Sequence, residues 1–234
     1  MVWRKVTALV LIATITMGVN GCMRNITGQK KRQNINDAAL EYMEQKYGEK
    51  FEYVAPWGDS MSGTHELLVK CDSFPEQNIL VEIENYRSDD KVFSDNYLAV
   101  KYFEDTIGFL IGCANQVFSE ATVVYDINKA ALSSDLPANA TFEEFLADTR
   151  VPLITAVVIK TNDFSSEEQA QELAKLIAES SVDFHLTIAV VDDEDFGAYN
   201  RKTLNELISS KKLVDRASIR KHGDDIRIVW AEKE

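Results

Sequence analysis

The sequence is poor in the residues that most often mark a metal site or a cross-linked scaffold: 234 residues hold three cysteines, three histidines, four prolines and ten glycines. Few cysteines exclude a disulfide-framework fold, and a chain of this length buries enough core to fold without disulfide or metal. His65, His185 and His222 lie far apart with no H-E-x-x-H or Cys-x-x-Cys spacing, which argues against a zinc enzyme. Neither a metal nor a cofactor is expected. Sparse Gly and Pro, with 45% hydrophobic and 27% charged residues, exclude fibrous and disordered classes. The longest apolar run, residues 6–19, would rise only ~21 Å as a helix, short of the ~30 Å hydrocarbon core, so no permanent membrane span is expected.

Negative charge is missing from the start of the chain. All 38 acidic residues lie from Asp37 onward, while Arg4, Lys5, Arg24, Lys30, Lys31 and Arg32 precede it, leaving a formal −19 from residue 35 on. Nucleic-acid binding needs a basic footprint to displace counterions, so it is not expected here.

What is present at the start is ordered. Residues 1–21 read as an export signal: basic Arg4 and Lys5, then the apolar run, then small residues. Val19-Asn20-Gly21-Cys22 resembles the lipobox of bacterial lipoproteins, with a branched apolar residue three before the cysteine and a small one just before it. The resemblance implies a diacylglyceryl group on Cys22 and cleavage before it; Asn20 departs from the usual small or apolar residue. Two acyl chains hold a bilayer firmly where one does not. Residues 22–34 then read as the lipidated cysteine and a polar tether. Its basic residues are suited to anionic headgroups, and a plain soluble linker is the equal alternative.

Within the domain, the spacing predicts a helix over 37–47 with Leu40, Met43 and Tyr47 on one face and Gly48 as its cap. Strands are predicted over 51–55, 66–71 and 79–85, one or two helices within 95–118, and a strand over 122–127. A loop at 130–140 separates two predicted lobes, an N-terminal α+β lobe (35–128) and a C-terminal β-α-β lobe (141–234). In the second, Thr141 with Glu144 forms a capping box, Ser165 with Glu168 caps an amphipathic helix inside strands 153–160 and 184–191, and a helix near 199–210 precedes a closing strand at 226–230. The fold class is α+β or α/β, with mixed sheet or sheets and helices packed on one face. Segments 79–127 and 153–191 both read strand, helix, strand, which leaves a duplicated module as an open arrangement.

Candidate chemistry concentrates between two strands in Ala55–His65, where Trp57, Ser60, Ser62 and His65 could form a ligand or partner loop. The favoured alternative is a long hairpin with Trp57 folded onto the core. Gly58-Asp59-Ser60 begins like a nucleophile elbow but lacks the second glycine, since position 62 is Ser. Ser209 to Lys212 matches S-x-x-K without companion motifs and reads as a basic helix end. The acidic run Asp192–Asp195 lacks EF-hand spacing and reads as a helix N-terminus. His185 alternates within a strand as a half-buried residue. Cys71 and Cys113 form a possible disulfide, with two buried free thiols slightly preferred. The sequence therefore reads as a membrane-anchored extracytoplasmic lipoprotein. Its domain would bind an envelope protein or ligand without catalysis, and the alternative is an envelope hydrolase using the 57–65 loop.

Overall fold

The computed structural model describes residues 35–59, 63–127, 132, 136–148, 153–160, 167–179, 183–194, 196–199, 203, 205–206, 215–223 and 225–230. Residues 34–234 form one unit. It is an α+β fold with two separate sheets.

The first sheet follows a helix. α1 (Ile35–Tyr47) buries Ala39 and Met43. It stops at Gly48, whose positive φ of 73° supplies the left-handed cap and whose N–H donates to Glu44 O at 2.9 Å. Four antiparallel strands come next in sequential order: β1 (Phe51–Asp59), β2 (His65–Cys71), β3 (Ile79–Glu84) and β4 (Val92–Asp95). Tyr42 stacks on Phe93 at 4.9 Å and the Tyr47 hydroxyl reaches Asp95, so α1 lies against Phe93 and Asp95 of β4.

The expected helical stretch 95–118 divides into α2 (Tyr97–Lys101) and α3 (Phe103–Ala114), broken at Tyr102, whose φ of −100° and ψ of 20° leave the helical region. α2 buries Tyr97, Leu98, Ala99 and Val100 over the first sheet.

The second sheet is mixed, in the order β5 (Ala121–Asp126), β6 (Leu153–Lys160), β7 (Phe184–Val191), β8 (Asp215–His222) and β9 (Asp225–Trp230). Only β6 and β7 are parallel, joined through α5 (Glu167–Ala178); the other pairs are antiparallel. Strand alternation sends Leu153, Val157, Ile159, Phe184, Leu186, Ile188, Val190, Ala217 and Ile219 to one face. There they join Leu110 of α3 and Leu173 and Ile177 of α5 in a core continuous with that of the first sheet. α4 (Phe142–Ala147) opens on the expected capping box, with both Thr141–Glu144 hydrogen bonds formed.

Three expectations change. The strand expected at the end of the first lobe, β5, is hydrogen-bonded to β6 and belongs to the second sheet. The strand-helix-strand of 79–127 is therefore not a repeat of 153–191: β3 and β5 sit in different sheets, whereas β6 and β7 are adjacent and parallel. Among the described residues, 192–194 make a turn leaving β7 and do not begin a helix, and residues 203, 205 and 206 of the expected 199–210 helix are helical. Ser165 and Ser209 to Lys212 lie outside the described residues.

Candidate binding surface

β1 is an edge strand with two irregularities. Its pairing with β2 runs Tyr53 to Val69, Ala55 to Leu68, Pro56 to Leu67 and Gly58 to Glu66, so Val54 and Trp57 are the residues skipped. Each is an extra residue on the bulged strand, and bulges re-aim side chains at sheet edges. Trp57 is 48% exposed, and Tyr53 and Val54 are exposed beside it. The hairpin thus does not fold Trp57 onto the core. Pro56, lacking an N–H, is tolerated because the outer side of β1 has no partner strand among the described residues.

His65 begins β2, opposite Asp59 and half-buried, with its ring 5.5 Å from that of Tyr86. It is drawn toward the β3–β4 reversal, where the Tyr86 N–H donates to Gly63 O at 3.3 Å. Ser60 and Ser62 lie outside the described residues, as does Cys22. Cys71 and Cys113 are buried free thiols. Burial pushes both thiols up from the ordinary range, and Glu49 adds to the effect at Cys71.

The densest polar cluster fastens α1 to the first sheet. Asp95, its side chain 1% exposed, accepts from the Tyr42 hydroxyl at 2.7 Å, the Tyr47 hydroxyl at 2.6 Å, Lys46 Nζ at 2.8 Å and the Tyr97 N–H at 3.0 Å. Burial first, and the Asp95 charge second, push the Tyr42 and Tyr47 hydroxyls far above the usual phenol range. Beside them Tyr97 stacks on Tyr47 at 3.8 Å and donates to Glu49 at 2.6 Å, a carboxylate that also accepts from Ser73 at 2.7 Å. Every charged member is answered, which marks a structural clasp and not an open site.

A second surface is the outer face of the second sheet. Register places Ile154, His185, Arg220 and Arg227 in one row across β6 to β9. The next row carries Ala156, Thr187, Ser218 and Val229. His185 Nε2 lies 3.1 Å from Ser218 Oγ. Burial, then the neighbouring Arg220, hold His185 below the usual histidine range, so it is neutral at pH 7. A serine beside a neutral histidine shares the chemistry of half a catalytic triad and nothing more; among the described residues no acid orients the ring, and the pair sits mid-sheet with no helix N-terminus aimed at it. Sequence alternation flags His185 but not its company, because β8 reads as a charged stretch.

Known proteins add little to this geometry. No family model matches the chain, and no curated protein matches it. Among solved structures it is similar to the crystal structure of a DUF5037 family protein from Ruminococcus gnavus, with a TM-score of 0.45 and 12% identity, covering 82% of this chain and 94% of that one. No residue role is carried over from it. Among the described residues no helix is long and apolar enough to cross a membrane, and no group of three or more His, Cys, Asp or Glu could hold a metal ion.

Proposed function

We propose that the chain is a membrane-anchored lipoprotein of the extracytoplasmic face, whose domain binds a partner or ligand without catalysis. The anchor rests on the order of basic residues, apolar run and Val19-Asn20-Gly21-Cys22. One observation carries the binding role: an edge strand spends two bulges on presenting Val54 and Trp57, beside Tyr53, to solvent. Exposed aromatic side chains on a rigid strand supply large contact area at low entropic cost, the usual anchors of an interface. No convergent set of nucleophile, base and stabiliser accompanies them among the described residues.

Intact-mass measurement of membrane-extracted protein tests the anchor. A mature species starting at a diacylglyceryl-modified Cys22 is expected, and Cys22→Ala should stay unprocessed; a species starting elsewhere overturns the anchor. Turnover of ester, peptide or phosphate substrates that a Ser60→Ala, Ser62→Ala, His65→Ala change abolishes, with the fold retained, would instead establish the hydrolase.

A further inference from the structure

The outer face of the second sheet is charged against the grain of the domain. From residue 35 on the chain carries −19, yet the row that passes through the neutral His185 sets two arginines, Arg220 and Arg227, directly opposite each other on β8 and β9. Opposed side chains there stand ~4.5–5.5 Å apart at Cβ, and like charges so placed destabilise a sheet. Arg227 is held by Asp225 through Nε at 2.9 Å. Arg220 is exposed and has no acidic partner among the described residues.

The same face is also apolar where it is open. Val229, two residues from Arg227 and so on its side of β9, is 64% exposed, and Ile154, next to His185, is 39% exposed. Phe196 and Tyr199 pack on this face against Ala156, Val158, Ala189 and Val191, leaving the β8–β9 end uncovered among the described residues. Arginines interleaved with exposed aliphatic side chains are the composition that suits the headgroup region of a bilayer: guanidinium groups pair with phosphates while the aliphatic groups enter the acyl boundary.

We infer that the β8–β9 end of this face, through Arg220, Arg227 and Val229, docks on the phosphate headgroups of an anionic phospholipid bilayer. This rests on the envelope reading for one point only, the nearness of a bilayer. Residues 23–34 span at most ~40 Å when fully extended, so a lipid on Cys22 keeps the domain within reach of the membrane in any orientation. The remaining negative charge does not forbid the contact. At ~0.1 M salt the Debye length is ~10 Å, so carboxylates on distant faces are screened and the local face decides.

The test uses the chain from residue 23 to 234, which lacks the lipidated cysteine, so that its failure is separable from a failure of the anchor. Binding is read by co-sedimentation with vesicles of phosphatidylglycerol and phosphatidylcholine, and with phosphatidylcholine alone. Binding only to the anionic vesicles is expected. Since each basic residue near an anionic surface contributes about 1 kcal/mol, or roughly fivefold, Arg220→Gln with Arg227→Gln should weaken it about 25-fold with the tether unchanged. Val229→Ser, which leaves the charges in place, should weaken it severalfold and serves if the double variant fails to fold. Equal binding to both vesicle types, no loss in either variant, or release by millimolar inorganic phosphate at constant ionic strength each overturns the inference, the last by showing a site for free phosphate.

Discussion

The Tyr47 hydroxyl donates to Asp95 Oδ1 at 2.6 Å across 48 positions of sequence, joining the last turn of α1 to the end of the fourth strand. Tyr42 and Lys46 close on the other carboxylate oxygen, so the helix that begins the domain is held by one buried acid. Removing that acid takes away the acceptor that two phenols and Lys46 share, leaving Lys46 its bond to the Tyr42 hydroxyl at 3.0 Å. Asp95→Ala should therefore cost about 3–5 kcal/mol, whereas Tyr42→Phe, which removes a single donor, should cost about 1 kcal/mol. Urea denaturation followed by circular dichroism separates the two; equal small losses would mean α1 docks by apolar contact alone.

Acid should unfasten the β8–β9 hairpin before the rest. Burial alone would raise Asp183, but the Gly223 N–H, His222 and Lys221 together hold it below the usual carboxylate range. A depressed folded-state value means the stabilisation is full above the unfolded value near 4 and is lost as pH falls through the folded one. Thermal midpoints measured from pH 6 down to pH 2 should show a drop that Asp183→Asn largely removes, with the variant less stable at pH 6.

His185 should add a second, milder slope. Its folded-state value lies below the unfolded one near 6.5, so the folded state disfavours the proton and stability falls as pH drops below 6.5. Chemical denaturation at pH 7.5 and 5.5 should show that fall in the wild-type chain, and a smaller one in His185→Gln. An identical slope in both would place the titration elsewhere.

Core and edge should respond differently to substitution. Leu173 of α5 is fully buried, and Leu173→Asp should lower stability by at least ~3 kcal/mol through an unpaired buried charge. Trp57→Ser should cost less than ~1 kcal/mol. Differential scanning calorimetry on the chain from residue 23 decides both, and a large loss at Trp57 would make it a core residue after all.

Cys71 and Cys113, both buried with raised thiols, should resist a thiol reagent in the folded chain from residue 23 and react as two thiols after denaturation. Fast reaction of either at neutral pH would contradict their burial.

Much of the architecture is legible in local pattern. α5 shows Ala170, Leu173, Ala174 and Ile177 at helical spacing, and β6 and β7 are short apolar runs that the structure bounds at the expected residues. The elements that local pattern does not reveal share a cause. β4 is four residues long and β8 has, among its described side chains, Ala217 and Ile219 as buried apolar residues, so neither offers an apolar run, and both owe their strand to long-range pairing. β1 runs four residues past the predicted end at 55 because Pro56, which lacks a donor and would stop a central strand, is tolerated at an edge. The Asp95 clasp and the row through Arg220 are hidden for a related reason. They join residues far apart in sequence, and only register and helix direction place those side chains together.

The bulges of β1 have a consequence for crowding. A tether to a surface raises the effective concentration of neighbouring copies far above that in solution, and flat exposed strand edges then become templates for one copy to zip onto the next. The first sheet ends on one side in a four-residue strand and on the other in a strand that skips register at Val54 and Trp57 and lacks a donor at Pro56. Among the described residues neither side offers an unbroken ladder of hydrogen bonds to a second molecule, so with the proposed anchor the domain would sit densely among its copies without that sheet extending from one to another.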